Sequence, residues 1–158
     1  MVGVTVAHSA IQMNLSAALA NRLRGKPCRP HGAELKISVA GRIRYPDALV
    51  VCTPLSLDTK VVAEPVVVFE ILSPSTAHTD LVLKNAEYHA TPSIRTYVVL
   101  EQTHAGALVF RHKGDDWVSE ALTGDDAVLH LPEIGIEIPL AELYADLAFP
   151  DEEGDQPP

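Results

Sequence analysis

The chain has 158 residues, enough for one full hydrophobic core and too few for two domains of ordinary size. Its longest apolar runs, near Pro65–Leu72 and Tyr97–Leu100, are far shorter than the roughly 20 residues that cross a bilayer, so no membrane span is expected. A net charge of −9 argues against indiscriminate nucleic-acid binding, but residues 1–45 hold seven Lys/Arg against one acid, and the remainder five against twenty.

In chain order, the first element is a helix over about Ser9–Leu23. Ile11, Leu15, Ala18 and Leu19 recur at helical spacing, Ser9 is a suitable N-cap, and Gly25 and Pro27 supply a stop. Glu34–Val39 alternates, with Leu35, Ile37 and Val39 on one side, as a strand with one wet face does. Ile43–Cys52 is extended apart from Pro46, and Thr53–Thr59 is a polar loop. Pro65–Leu72 is apolar except for Glu70, which suits a strand buried on both faces. A helix over about His78–Ala90 follows, with Val82, Leu83, Ala86 and Ala90 as its apolar arc and Asp80, Lys84 and Tyr88 on another face; Thr91-Pro92 stops it. Arg95–Glu101 is again an apolar strand. Gly106–His112 and Trp117–Leu122 flank Lys113-Gly114-Asp115-Asp116, a hairpin signal. Ala127–Leu131 and Ile134–Ile138 are short extended pieces, and Pro139–Tyr144 opens a short helix. Residues 149–158 form an acidic tail expected to be disordered, leaving residues 1–148 as one domain. A mixed sheet flanked by helices, in the α/β (α+β) class, accounts for this order better than strict βα alternation.

Cys28 and Cys52 lack metal-ligand spacing and read as buried thiols. The opening residues carry no leader pattern, and the cytoplasm is the expected location.

Glu70 is the chemical anomaly. A buried carboxylate must be protonated, paired or bound to a metal, because an unpaired one costs several kcal/mol. A buried salt bridge, or a strand end reaching water, is its plainest account. Asp47 follows Pro46 at the mouth of the run Ala48–Val51. Alone it reads as a turn residue, yet adjacent strands lie about 4.8 Å apart, and the two carboxylates could share a divalent cation. Lys84 stacks between Asp80 and Tyr88 at helical spacing, either as an exposed ion pair or as an ammonium aimed back at the carboxylates. The seven histidines show no paired ligand spacing, and no GxSxG or glycine-rich phosphate loop is present. Ser73 and Ser75 read as loop and capping residues, Trp117 as core. Arg22, Arg24, Lys26, Arg29, Arg42 and Arg44 form a basic strip, which is a solvated face or a nucleic-acid contact.

Together these residues resemble the Uma-two family of restriction-endonuclease-like proteins, a branch of the PD-(D/E)xK nuclease superfamily. The likeness runs through Tyr45–Cys52, Val67–Thr76, Asp80, Lys84, Tyr88 and Tyr97–Val99. The opening His8–Leu15 is similar to the family's first long helix, and residues 5–145 are covered overall. The resemblance implies a restriction-endonuclease-like core and a Mg²⁺ or Mn²⁺ ion held by Asp47 and Glu70. It further implies hydrolysis of DNA phosphodiester bonds, with Lys84 as the catalytic cation and Asp80 and Tyr88 supporting it. The superfamily's usual lysine two positions after the glutamate is here Leu72, so Lys84 would act from the helix instead. The family's usual segment ahead of the first helix has no counterpart, which bears on activity more than on the site. The competing expectation is a catalytically impaired nuclease-like module that binds nucleic acid or a protein partner. A homodimer would suit two cuts in a duplex.

Overall fold

The first helix, α1, spans Val6–Leu23 in the computed structural model, which describes residues 3–73 and 77–150. It begins three residues ahead of the expected Ser9. Thr5 is the cap: its Oγ1 accepts the His8 N–H at 3.1 Å, and Ser9 N–H donates to the Thr5 carbonyl. His8, Ile11, Leu15, Ala18, Leu19 and Leu23 line the buried face. Gly25, at φ +76°, ends the helical run in the left-handed conformation that glycine adopts without penalty.

The strands follow in short pieces. β1 (Arg29–Gly32), β2 (Lys36–Val39), β3 (Arg42–Arg44), β4 (Ala48–Val51), β5 (Val61–Val62) and β6 (Pro65–Ile71) precede α2 (Ala77–His89). β7 (Thr96–Leu100), β8 (Gly106–Lys113), β9 (Asp116–Thr123), β10 (Val128–Leu131), β11 (Ile136–Pro139) and α3 (Leu140–Leu143) complete the chain. The central sheet is six-stranded, in the order β1-β4-β6-β7-β8-β9. Only its β6–β7 pair is parallel, with α2 in the connection. β3-β2-β5 and β10-β11 form two small sheets. The expected central mixed sheet flanked by helices is therefore the observed architecture. β1 has no alternating signal in the sequence, because Pro30 and Gly32 occupy two of its four positions.

Strand parity divides the core in two. Ala48, Val50, Val67, Phe69, Ile71, Val98 and Leu100 face α1 and α3; Leu49, Val51, Val68, Tyr97 and Val99 face Tyr88 of α2 and the small sheet's Ile37, Val39 and Val62. Glu70 shares the parity of Val68, so it points toward the α2 side.

Three expectations are corrected here. Cys28 and Cys52 are not thiols but a disulfide. They occupy the position next to the Arg29–Val51 pair in the β1–β4 register, a juxtaposition that depends on β1. The bond also removes the thiol argument for a cytoplasmic location. The arc Val82, Leu83 and Ala86 faces solvent, with Val82 59% and Leu83 46% exposed, whereas Tyr88 is fully buried. Lys84 and Tyr88 of the polar ridge turn inward instead, both onto Glu70. Trp117 is half-buried against the α2-side core, and its indole N–H donates to Asn85 Oδ1 at 2.8 Å. Phe149 packs on the α1-side core and against Tyr144, so the chain is still anchored at the start of the expected tail. Residues 151–158 and Ser75 lie outside the described residues. No helix among the described residues is long and apolar enough to cross a membrane.

Candidate active site

Strand register sets Asp47 beside Glu70. β4 and β6 pair with Ala48 opposite Phe69, and the Asp47 N–H donates to the Phe69 carbonyl at 3.0 Å. The next position in that register sets Asp47 opposite Glu70, where Cβ atoms are typically about 4.5–5.5 Å apart. Glu70 is 8% exposed, and both of its oxygens are engaged. Tyr97 Oη donates to Oε2 at 2.7 Å, Tyr88 Oη donates to Oε1 at 3.0 Å, and Lys84 Nζ stands 3.2 Å from Oε1. Asp80, one turn before Lys84, contributes Oδ2 at 3.0 Å from the same ammonium.

Asp47 is held just as firmly. Its Oδ2 accepts the Ile71 N–H at 2.7 Å, its carbonyl accepts Gln12 Nε2 at 3.2 Å, and His8 Nε2 lies 3.2 Å from Oδ1. His8 and Gln12 are one turn apart on α1, so a single helix face braces this residue. Asp47, Glu70, Asp80 and Lys84 line one cavity of about 90 Å³, together with Tyr45 and Leu72 among others.

Burial pushes the Glu70 carboxyl above its ordinary range; the Lys84 charge and the two tyrosine hydroxyls oppose this without cancelling it. Burial alone would lower Lys84, but Glu70 and Asp80 outweigh it, and the ammonium is raised. A simple ion pair would lower its carboxylate. Glu70 moves the other way because it is the deeper partner, its side chain 11% exposed against 20% for Lys84. Burial, followed by the Glu70 charge, raises Tyr88 and Tyr97 so far that both stay neutral donors.

The family description "Putative restriction endonuclease", Uma2, matches residues 1–141. The chain belongs to the Uma2 family. An uncharacterized protein of Synechocystis sp. is 32% identical over 154 residues, covering 94% of this chain and 80% of that one. The fold is shared with a crystal structure described as a putative nuclease of DUF820 from Anabaena variabilis. That match has a TM-score of 0.73 at 19% identity, over 90% of this chain and 82% of the other.

In this Uma2 chain the residues singled out by sequence thus divide. Asp47, Glu70, Lys84, Asp80 and Tyr88 come together. Leu72 lines the same cavity without a charge. The basic strip does not stay together. Arg22 is paired with Glu142, and Arg42 and Arg44 both meet Glu87, at 3.6 and 2.6 Å. Arg24, Lys26 and Arg29 line a separate hollow of about 650 Å³ with His31 and Leu57, and no acid among the described residues pairs with them. That hollow adjoins Val51, about 13 Å along β4 from Asp47 at ~3.3 Å per residue. Sequence reading missed His8, Gln12 and Tyr97. His8 stood at the edge of the expected helix with no chemical signal of its own, and Tyr97 looked like one more apolar strand residue. A helix begun at Val6 would have put His8 on the buried stripe with Ile11 and Leu15.

Proposed function

We propose that this protein is a metal-dependent endonuclease that hydrolyses DNA phosphodiester bonds at the Asp47–Glu70–Lys84 cavity. The observation that carries this reading is the meeting of two carboxylates and an ammonium on one small polar cavity. About 10–15 Å³ of such space holds one water, so the cavity of about 90 Å³ has room for a cation with part of its water shell. Among the described residues no three His, Cys, Asp or Glu side chains form a ready-made cage. That fits Mg²⁺ or Mn²⁺, hard ions that accept one or two carboxylates and complete their shell with water and phosphate oxygens. Asp47 and Glu70 would hold the ion, which when bound stabilises charge on the phosphate and makes a coordinated water more acidic.

The protein's own groups have distinct tasks. An ionised Glu70 is costly in its buried position, and a divalent cation held there would offset that cost. Lys84, raised by its acidic neighbours, keeps its proton at neutral pH. It therefore serves as a fixed positive charge toward the phosphate and as a donor that orients water, rather than as a base. Asp80 steadies the ammonium, and Tyr88 and Tyr97 fix the Glu70 oxygens. Arg24, Lys26 and Arg29 are the members of the basic strip available to DNA phosphates.

The test is cleavage of plasmid DNA with Mg²⁺ or Mn²⁺ by the wild type beside Asp47→Ala, Glu70→Ala and Lys84→Ala. Removing the Lys84 charge is expected to cost about 10²–10³ in rate, as for other preorganised donors. Equal cleavage by all four proteins would sink the assignment. A second reading, a nuclease-like module that binds DNA without cutting it, draws on the engagement of every Asp47 and Glu70 oxygen by protein groups. It predicts salt-sensitive DNA retention and no cleavage by the wild type.

A further inference from the structure

His8 lies where an apolar residue would serve the fold better. It falls on the buried stripe of α1 with Ile11 and Leu15 and is 9% exposed. Its Nδ1 is buried with no hydrogen-bond partner among the described residues. Burying a polar ring with one nitrogen unpaired costs stability that a leucine would not. Among the described residues, the ring's polar contact is Nε2 with Asp47 Oδ1, at 3.2 Å. His8 does not line the cavity; it stands against Asp47 from α1, while Ile71 N–H holds the other carboxylate oxygen.

We infer that His8 is a positioning residue of the site, bracing Asp47 Oδ1 so that the carboxylate presents a fixed geometry to a bound divalent cation. The inference rests on the nuclease reading and adds to it a member that touches neither metal nor substrate. Partners behind a ligating carboxylate tune affinity by orienting it, and their loss typically weakens metal binding about 10- to 100-fold. Gln12, one turn further along α1, anchors the same residue by its backbone carbonyl, so the helix fixes both ends of Asp47.

The test is Mn²⁺ titration of the full chain, with free Mn²⁺ followed by electron paramagnetic resonance and thermal unfolding measured in parallel. His8→Leu is expected to weaken Mn²⁺ binding about 10- to 100-fold while its melting temperature is unchanged or higher. A residue that served only stability would show the reverse. His8→Gln, whose amide can donate to Oδ1, should recover most of the affinity and keeps the test decisive if the leucine variant misfolds. Asn14→Ala is the control. Asn14 Nδ2 ties α1 to the Leu143 and Ala145 carbonyls, so this variant loosens the helix without touching Asp47 and should bind Mn²⁺ as the wild type does. Affinity lost in Asp47→Asn but kept in His8→Leu overturns the inference and leaves the nuclease reading standing. A glutamine variant no better than leucine also overturns it. A wild type that takes up no Mn²⁺ overturns both.

Discussion

At the residue scale, Glu70 makes a thermodynamic prediction that is independent of catalysis. Its folded pKa lies above its unfolded value, chiefly through burial. Such a group contributes stability below the unfolded pKa and loses it as pH rises through the folded one. Glu70→Gln does not titrate. In metal-free buffer, the stability of wild type relative to Glu70→Gln should therefore fall as pH rises from the unfolded Glu range through the raised folded value, by at most about 1.4 kcal/mol per pH unit. Urea melts across that range check it, and a difference that is flat or grows in favour of the wild type would contradict the raised pKa. Glu70 was legible in sequence because one charge in an otherwise apolar strand has few explanations. Which explanation holds was not legible. Tyr97 and Tyr88 come from positions 27 and 18 residues away, and nothing local marks a strand tyrosine as a carboxylate partner.

At the element scale, α2 is fastened to the sheet by charge as well as packing. Arg44 on β3 donates twice to Glu87, at 2.7 and 2.6 Å, and holds that carboxyl below its ordinary range. This contribution is present above the unfolded Glu pKa and is lost as pH falls through the lowered value. A double-mutant cycle on Arg44→Ala and Glu87→Ala should show coupling of about 1.5–3 kcal/mol at pH 7, shrinking toward pH 3. Coupling that does not vary with pH would rule the ion pair out as its source. β1 is fastened to β4 covalently. Residues 28 and 52 are 24 apart, and closing a loop of that length stabilises the fold by about 3.5 kcal/mol in the chain-entropy account. The Cys28→Ser/Cys52→Ser variant should unfold at correspondingly lower denaturant, and a reductant should affect only the wild type. The α2 helix itself was legible from its breakers, but its inward face was not. Apolar periodicity favoured Val82 and Leu83, whereas the face that packs inward carries Lys84 and Tyr88 onto Glu70.

At the scale of the whole molecule, the acidic chain keeps a confined basic surface at the end of β4 opposite Asp47. If duplex DNA meets it, replacing Arg24, Lys26 and Arg29 together by alanine should flatten the dependence of log K on log[salt] by about 2–3. Replacing Arg22, Arg42 and Arg44, already paired with Glu142 and Glu87, should flatten it much less. Binding isotherms at several salt concentrations, in EDTA, distinguish the two sets. Equal slopes for both variants would remove Arg24, Lys26 and Arg29 from the interface.

The sequence by itself determined the class of fold and most strand and helix positions, and it singled out Asp47, Glu70 and Lys84 as the residues out of place. These depend on local signals: apolar runs, proline and glycine breakers, and charges out of place. Only the tertiary structure decided what surrounds the trio. His8 behind Asp47, the tyrosines on Glu70, the Cys28–Cys52 bond and the division of the basic strip all join positions distant in the chain. Strand register and helix rotation set such pairings, and both depend on how whole faces pack against each other rather than on any local signal.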